Sequence, residues 1–303
     1  MERLLEYGLR KIEKEDISRL KKYYLSMEGN YASSIDLLSI YAWRGNLPAY
    51  VKEIHGYLFF IVYDKANYRM VSLPLIGDYG REVFTAAVSE AERIFTELES
   101  PLVFTDVTPW MLPFYEACFG ERMEIIDSEE LAEYIYKMED FRTYQDRQRE
   151  RYNYQYFESK NEVCCVEITE KHEAECQQLL KESFCDIHDC EECEYGCQKN
   201  TLHHALLAQG EHEVKGILIY ADKKPVAYCI VSQEKKQLVF HFKKNLRGYR
   251  GLNEYIHREC MDRFGKQMES INYTEDMGVE GLRKYKQNLS PYTLQPKLEL
   301  RIR

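Results

Sequence analysis

One order of elements runs twice through this 303-residue chain, and it constrains the fold more than any single motif does. From Gly56, GYLFFIVYDKANYRMVSLPLIG reads as a hairpin, two apolar-aromatic runs around the turn-prone DKAN. The next stretch, REVFTAAVSEAERIFTELES, sets Val83, Ala86, Ala87, Ala91, Ile94 and Phe95 near helical spacing. A strand LVFTDV, a Pro-bounded segment PWMLPFYEACF and a strand MEIID complete the set. From Lys215 the order returns: the hairpin KGILIYADKKPVAYCIVSQ, a further strand KQLVFHF, the helix GLNEYIHRECMDRF, the strand SINY, the helix GVEGLRKYKQN and the strand KLELRIR. No residue-level repeat accompanies it, so the duplication is one of architecture. The expectation is an α/β protein with mixed sheets, built as two similar halves.

Between the halves lies SEELAEYIYKMEDFRTYQDRQRERYNYQYFESK. Its first part reads as a helix opened by Ser128 as N-cap, with carboxylates in the first turn. From Arg142 to Phe157 arginines alternate with aromatics. The break is therefore predicted near residue 160, with domains of 1–160, linker helix included, and 161–303. A chain of this length suits two domains. The longest apolar run, YLFFIV at 57–62, is far short of the roughly 20 residues of a membrane span, and MERLLEYGLRKIEKED has no signal-peptide core. Ten cysteines without a secretion signal fit a reducing cytoplasm. A net charge of −10 disfavours non-specific nucleic-acid binding and leaves only local basic strips for it. The expectation is a soluble cytoplasmic protein.

Three stretches carry a resemblance. NYTEDMGVEGLRKYKQNLSP (272–291) resembles the C-terminal segment of the DUF2156 family, matching at Asn272, Asp276, Gly278, Gly281, Leu282, Arg283, Lys286 and Pro291, with Thr274 where the first acid falls and Glu275 beside it. VFHFKKNLRGYRGLNEYIHRE (239–259) resembles the family's strand-loop-helix at His241, Phe242, Lys244, Gly251 and Ile256, with Lys243 where an acid is usual. YIYKMEDF (134–141) matches as well, which adds Tyr134 and Tyr136 to the expected substrate-binding residues. This family is the tandem-GNAT domain found at the C-terminus of phosphatidylglycerol lysyltransferases, related in fold to the Fem-type transferases. The resemblance implies two GNAT-like domains meeting at a central cleft. It also implies transfer of an aminoacyl group from aminoacyl-tRNA to an amine or hydroxyl of a small-molecule, peptide or lipid-headgroup acceptor. The membrane-spanning half of the lipid-modifying enzymes is not in this sequence.

Acyl transfer needs a nucleophile held against the carbonyl, a route for its proton and donors for the oxyanion. Glu275 and Asp276, just after the predicted strand SINY, are the acids placed to take a proton; their structural alternative is to cap the helix near Gly278. The loop KKNLRGYRG supplies Lys243, Lys244, Arg247 and Arg250 before a helix N-terminus, with Gly248 and Gly251 allowing close approach of a phosphate; its alternative is a solvated basic loop. A CoA-binding loop would carry Arg or Gln where Gly248 stands and a small residue where Asn253 stands, so ordinary acetyl-CoA chemistry loses ground. Arg283 and Lys286 share a helix face and could hold an anion or pair with Glu280. Arg142, Arg147, Arg149 and Arg151, set among Tyr144, Tyr152, Tyr154 and Tyr156, are the candidate RNA contacts, or an ion-pair lattice. Two rival readings stay open: a non-catalytic small-molecule or peptide binder on a GNAT scaffold, and a CoA-dependent N-acetyltransferase with a non-standard loop.

CDIHDCEECEYGC places Cys185, Cys190, Cys193 and Cys197 within one short stretch. Cys185-x4-Cys190-x2-Cys193 has the spacing of plant-type iron–sulfur ligands, whose fourth cysteine is distant, and Cys190-x2-Cys193 suits zinc, with Cys185, Cys197 or His188 completing a structural site. Alternatively Cys190, Cys193 and Cys197 lie on one face of a helix that continues through QKNTLHHALLAQ and are small buried side chains.

Overall fold

The computed structural model describes residues 2–65, 67–186, 197–211 and 214–303. The chain divides into two compact units, Met1–Glu133 with Gln295–Arg303, and Tyr134–Leu294. This division differs from the break expected near residue 160. The linker's two helices, Met138–Gln145 and Gln148–Lys160, bury Phe141 and Phe157 in the hydrophobic cluster of the second unit, and so they belong to it.

The first unit holds β1 (Arg10–Lys11), β2 (Ala49–Ile54), β3 (Tyr57–Asp64), β4 (Arg69–Ser72), β5 (Val103–Val107) and β6 (Met123–Asp127). The second sheet is made of β7 (Glu133–Lys137), β8 (Val163–Glu167), β9 (Val214–Ala221), β10 (Lys224–Glu234), β11 (Gln237–Asn245), β12 (Ser270–Asn272) and β13 (Thr293–Gln295). The last strand, β14 (Leu298–Ile302), returns to the first sheet. The orders are β1-β2-β3-β4-β5-β14-β6 and, read from its other edge, β8-β9-β10-β11-β12-β7-β13. Each sheet thus lays five successive strands side by side, then takes a strand from far along the chain, then ends on a short edge. The pairs β4–β5 and β11–β12 are parallel. Parallel neighbours need a crossover, and the helices Arg81–Glu97 and Leu252–Phe264 supply it.

The hairpins form where the turn residues permit them. Between β9 and β10, Asp222 and Lys223 both adopt positive φ, 52° and 67°, which matches the twist that two-residue hairpins require. On the Arg81–Glu97 helix, Ala87, Ala91, Ile94 and Phe95 are buried as the spacing predicts, whereas Val83 is 51% exposed and lies off the stripe. One element was predicted with the wrong period. EYIYK is not the start of a helix but β7, and Ser128 makes no side-chain cap. Glu133, Tyr134, Ile135 and Tyr136 are all buried, so the strand shows no polar alternation to reveal it. No described helix is long and apolar enough to cross a membrane.

Candidate functional site

In the second unit β11 and β12 pair only over Gln237–Val239 and Ser270–Asn272, yet β11 runs on to Asn245 against β10. The strands part where β11 carries a bulge: Phe240 faces Val231 and Phe242 faces Ile230, which leaves His241 as the extra residue. A bulge of this kind bends the strand and re-aims its side chains. On the other side of the divergence the chain leaves β12 through Tyr273 and through Thr274, whose φ is 56°.

Lys243 reaches from β11 across this divergence. Its Nζ donates to Tyr285 Oη at 2.8 Å and Asn253 Oδ1 at 3.1 Å, and lies over the rings of Tyr285 and Tyr273 at 4.6 and 5.3 Å. Behind it the hydroxyls of Tyr273 and Tyr285 stand 2.7 and 3.1 Å from His257 Nε2, and the Gln145 amide is 3.3 Å from Nδ1. Burial, reinforced by the charge of Lys243, pushes the His257 pKa well below the usual imidazole value, so the ring is neutral at pH 7. Burial likewise keeps the Tyr273 phenol protonated. His241 receives or gives a hydrogen bond at Ser232 Oγ, 2.8 Å away. Loss of water holds its pKa at about 4, against the opposing pull of Glu234 and Glu275.

The acids and bases of the 272–291 segment separate into different jobs. Asp276 is 1% exposed, and its carboxylate accepts from Tyr134 Oη (2.6 Å), Gly278 N (2.8 Å), Arg283 Nε (2.9 Å) and Arg283 Nη2 (3.3 Å). Burial raises its pKa, but these donors and the Arg283 charge outweigh burial and hold it below the ordinary carboxylate value. It braces the turn at Gly278; the helix itself starts at Glu280 with Val279 as its cap. Lys286 is buried and spends its ammonium on the carbonyls of Tyr273, Thr274 and Glu275 at 2.6, 3.2 and 2.5 Å. Tyr134 and Tyr136, expected to bind substrate, are buried on β7, with the Tyr136 hydroxyl donating to Lys286 O at 2.8 Å. These residues fasten the end of β12 in place. The Glu275 side chain, by contrast, is half-buried.

The basic loop is partly spent on packing. Arg250 donates to Asn153 Oδ1 at 3.1 Å and its guanidinium lies 5.2 and 5.0 Å from the rings of Tyr152 and Tyr156. Lys244 lies 4.1 Å from the Phe184 ring, and Arg247 is exposed. Gly251 has φ 88°, and a Cβ there would meet Asn153 O at 1.9 Å, so this glycine serves helix packing. Gly248, at φ 92°, has open space around it. In the linker, Arg147 lies 5.0 Å from the Tyr144 ring, while Arg149 and Arg151 are exposed. Cys190 and Cys193 lie outside the described residues, as does His188. Cys185 and Cys197 are half-buried, and Cys197 is extended ahead of the helix Gln198–Leu207, so that helix does not continue back through it. Among the described residues no three His, Cys, Asp or Glu side chains converge on a metal position.

The family described as phosphatidylglycerol lysyltransferase, C-terminal, matches residues 30–298. The chain belongs to that family. No curated protein matches it in sequence. A conserved protein of unknown function from Bacteroides thetaiotaomicron VPI-5482 superposes with a TM-score of 0.86 at 21% identity, over 97% of this chain and 99% of the other. The C-terminal DUF2156 domain assigned to a lysylphosphatidylglycerol synthetase of Agrobacterium fabrum gives 0.67 at 13%, over 95% and 91%. A tandem GNAT protein from the clavulanic acid biosynthesis pathway gives 0.50 at 10%, over 97% and 98%. The chain therefore has the tandem GNAT-like fold its element order and motifs predict. His257, Tyr273, Tyr285 and Gln145 are not among the residues expected at the site. Their one sequence signal is Asn253 and His257, four apart on a helix face; the rest depends on residues far apart in the chain meeting.

Proposed function

We propose that this lysyltransferase-family chain moves an aminoacyl group from aminoacyl-tRNA to an amine or hydroxyl, at the divergence of β11 and β12. The observation that carries this reading is the divergence itself. β11 continues past its last partner on β12, and there Lys243, Asn253, Tyr285 and His257 are joined by hydrogen bonds beside the rings of Phe240 and Tyr273. The acceptor's nitrogen or oxygen attacks the ester carbonyl, the bond to the terminal ribose oxygen breaks, and that oxygen takes up a proton as the acceptor loses one. Glu275, half-buried at the end of β12, is the acid suited to receive the acceptor's proton. Asp276 is a positioning residue, since its carboxylate is already engaged by Arg283, Tyr134 and Gly278. The exposed Arg149, Arg151 and Arg247 are available to tRNA phosphates. Asn253 favours this reading over CoA transfer: where a CoA loop needs a small residue, its side chain accepts from Lys243.

The test is discharge of tRNAs charged with the full set of labelled amino acids, in the presence of amine, peptide and phospholipid acceptors. Label should leave at least one tRNA for an acceptor, and Glu275→Gln should slow transfer by about 100-fold with melting unchanged. The reading fails if no tRNA is discharged above background, and the role of Glu275 fails if the variant keeps full rate.

A further inference from the structure

We infer that the Lys243 site receives an anionic oxygen group of the substrate, a carboxylate or phosphate, and turns away an ammonium. The inference rests on the proposed location of the site but concerns which substrate class it takes. Lys243 differs in its partners from Arg283, Arg258, Arg263 and Lys286 of the same unit. Arg283 is matched by Asp276, Arg258 by Asp146 and Arg263 by Glu259. Lys286 is enclosed by three carbonyls. Lys243 has two neutral acceptors, Tyr285 Oη and Asn253 Oδ1, and among the described residues no carboxylate lies within 4.0 Å of its Nζ. An ammonium has three N–H donors, so one remains for a ligand. The groups in contact with it carry no negative charge: His257 is neutral and Tyr273 stays protonated, and the centroids of the Tyr285 and Tyr273 rings lie 4.6 and 5.3 Å from the ammonium.

An incoming anion would complete the donor set of Lys243 and neutralise a half-buried charge. A lysyl side chain placed there would set two ammonium groups together, with no acid between them. Charge-assisted hydrogen bonds of this kind are the strong ones, and a like charge is correspondingly excluded. The anionic group can come from the donor, as an acidic aminoacyl side chain, or from the acceptor, as a headgroup phosphate.

Calorimetric titration of the full chain with glutamate α-amide, sn-glycerol phosphate and lysine α-amide separates these sources. At least one anion should bind tenfold or more tighter than lysine α-amide, glutamate α-amide indicating the donor and glycerol phosphate the acceptor. Lys243→Arg should keep that preference, Lys243→Met should lose it and Lys243→Glu should reverse it, with melting curves confirming that each variant is folded. Equal or tighter binding of lysine α-amide, absence of binding by both anions, or an unaltered preference in folded Lys243→Met overturns the inference. Discharge of lysyl-tRNA alone, with no anion binding, would remove this inference and leave aminoacyl transfer standing. Anion binding without discharge of any tRNA would do the opposite.

Discussion

The two units use one strand order to opposite ends. In the first, the chain beyond β4 continues as Leu73, Pro74, Leu75 and Ile76, all buried, and Ile76 bridges back to Leu58 on β3. Tyr115, on the helix Leu112–Phe119 that follows β5, accepts from the Leu75 backbone N–H at 2.9 Å. Around it Tyr79 stacks on Phe84 at 4.7 Å, with Trp110 and Phe114 each at 5.0 Å. In the second unit, the corresponding strand continues as Phe240, His241, Phe242 and Lys243, and the tyrosine on the corresponding helix, Tyr285, accepts from a lysine ammonium. The difference teaches that the parting of fourth and fifth strands is a property of the frame, and that side chains decide whether it becomes core or site. Aromatic rings close the first copy, whereas in the second Lys243, Asn253 and His257 stand among the rings, and there the proposed chemistry is placed.

The comparison can be broken by stability measurements, taken here from the largest expected change to the smallest. Tyr115→Ala empties the aromatic core of the first unit and should cost about 3–5 kcal/mol in denaturant unfolding; a loss under about 1 kcal/mol would mean that this copy is not packed as core. Asp276→Asn removes charge from a carboxylate that Arg283 needs, and should cost about 2 kcal/mol and lower the melting temperature, because Arg283 keeps partial access to water. An unchanged melting curve would free Asp276 from its bracing role. Acidification tests the polar filling directly. The folded pKa values of His241 and His257 lie below the ordinary histidine value, so the unfolded chain takes up protons first. Stability should therefore fall as pH drops below about 6.5, by about 1.4 kcal/mol per pH unit for each histidine, continuing for His241 towards its folded value of about 4. A flat profile between pH 7 and 5 would mean that both imidazoles reach solvent. Tyr285→Phe should change stability least, by about 1 kcal/mol or less, yet lower transfer at least tenfold; equal activity would detach Tyr285 from the site.

Much of the frame was legible because its signals are local. Both hairpins, the crossover helix in each half and the segment around Asp276 stand where spacing and turn residues put them. The roles within the site were harder to read. Asp276 and Lys286 are conspicuous in the motif, but their work as clamps follows from Tyr134, Arg283 and three carbonyls, partners that only folding brings to them. Tyr134 and Tyr136 are expected as binding residues through the family match of YIYKMEDF, and here they are buried on β7, next to the sheet's edge, with both hydroxyls bonded within the unit. His257 sits in an ordinary helical stripe, and nothing in GLNEYIHRECMDRF distinguishes a neutral buried imidazole from an exposed one.

By itself the sequence determined the repeated order of elements, the basic loop ahead of the Leu252–Phe264 helix and the membership of the chain in its family. These depend on periodicity, glycine placement and short motifs, all of which act over a few residues. Tertiary structure alone decided that β7 and β14 fill the sixth place of their sheets, that β11 parts from β12 beyond Val239, and that Lys243 stands among neutral partners. Strand partners and proton affinities are set by groups tens to hundreds of residues away, and a local pattern carries no record of which groups those will be.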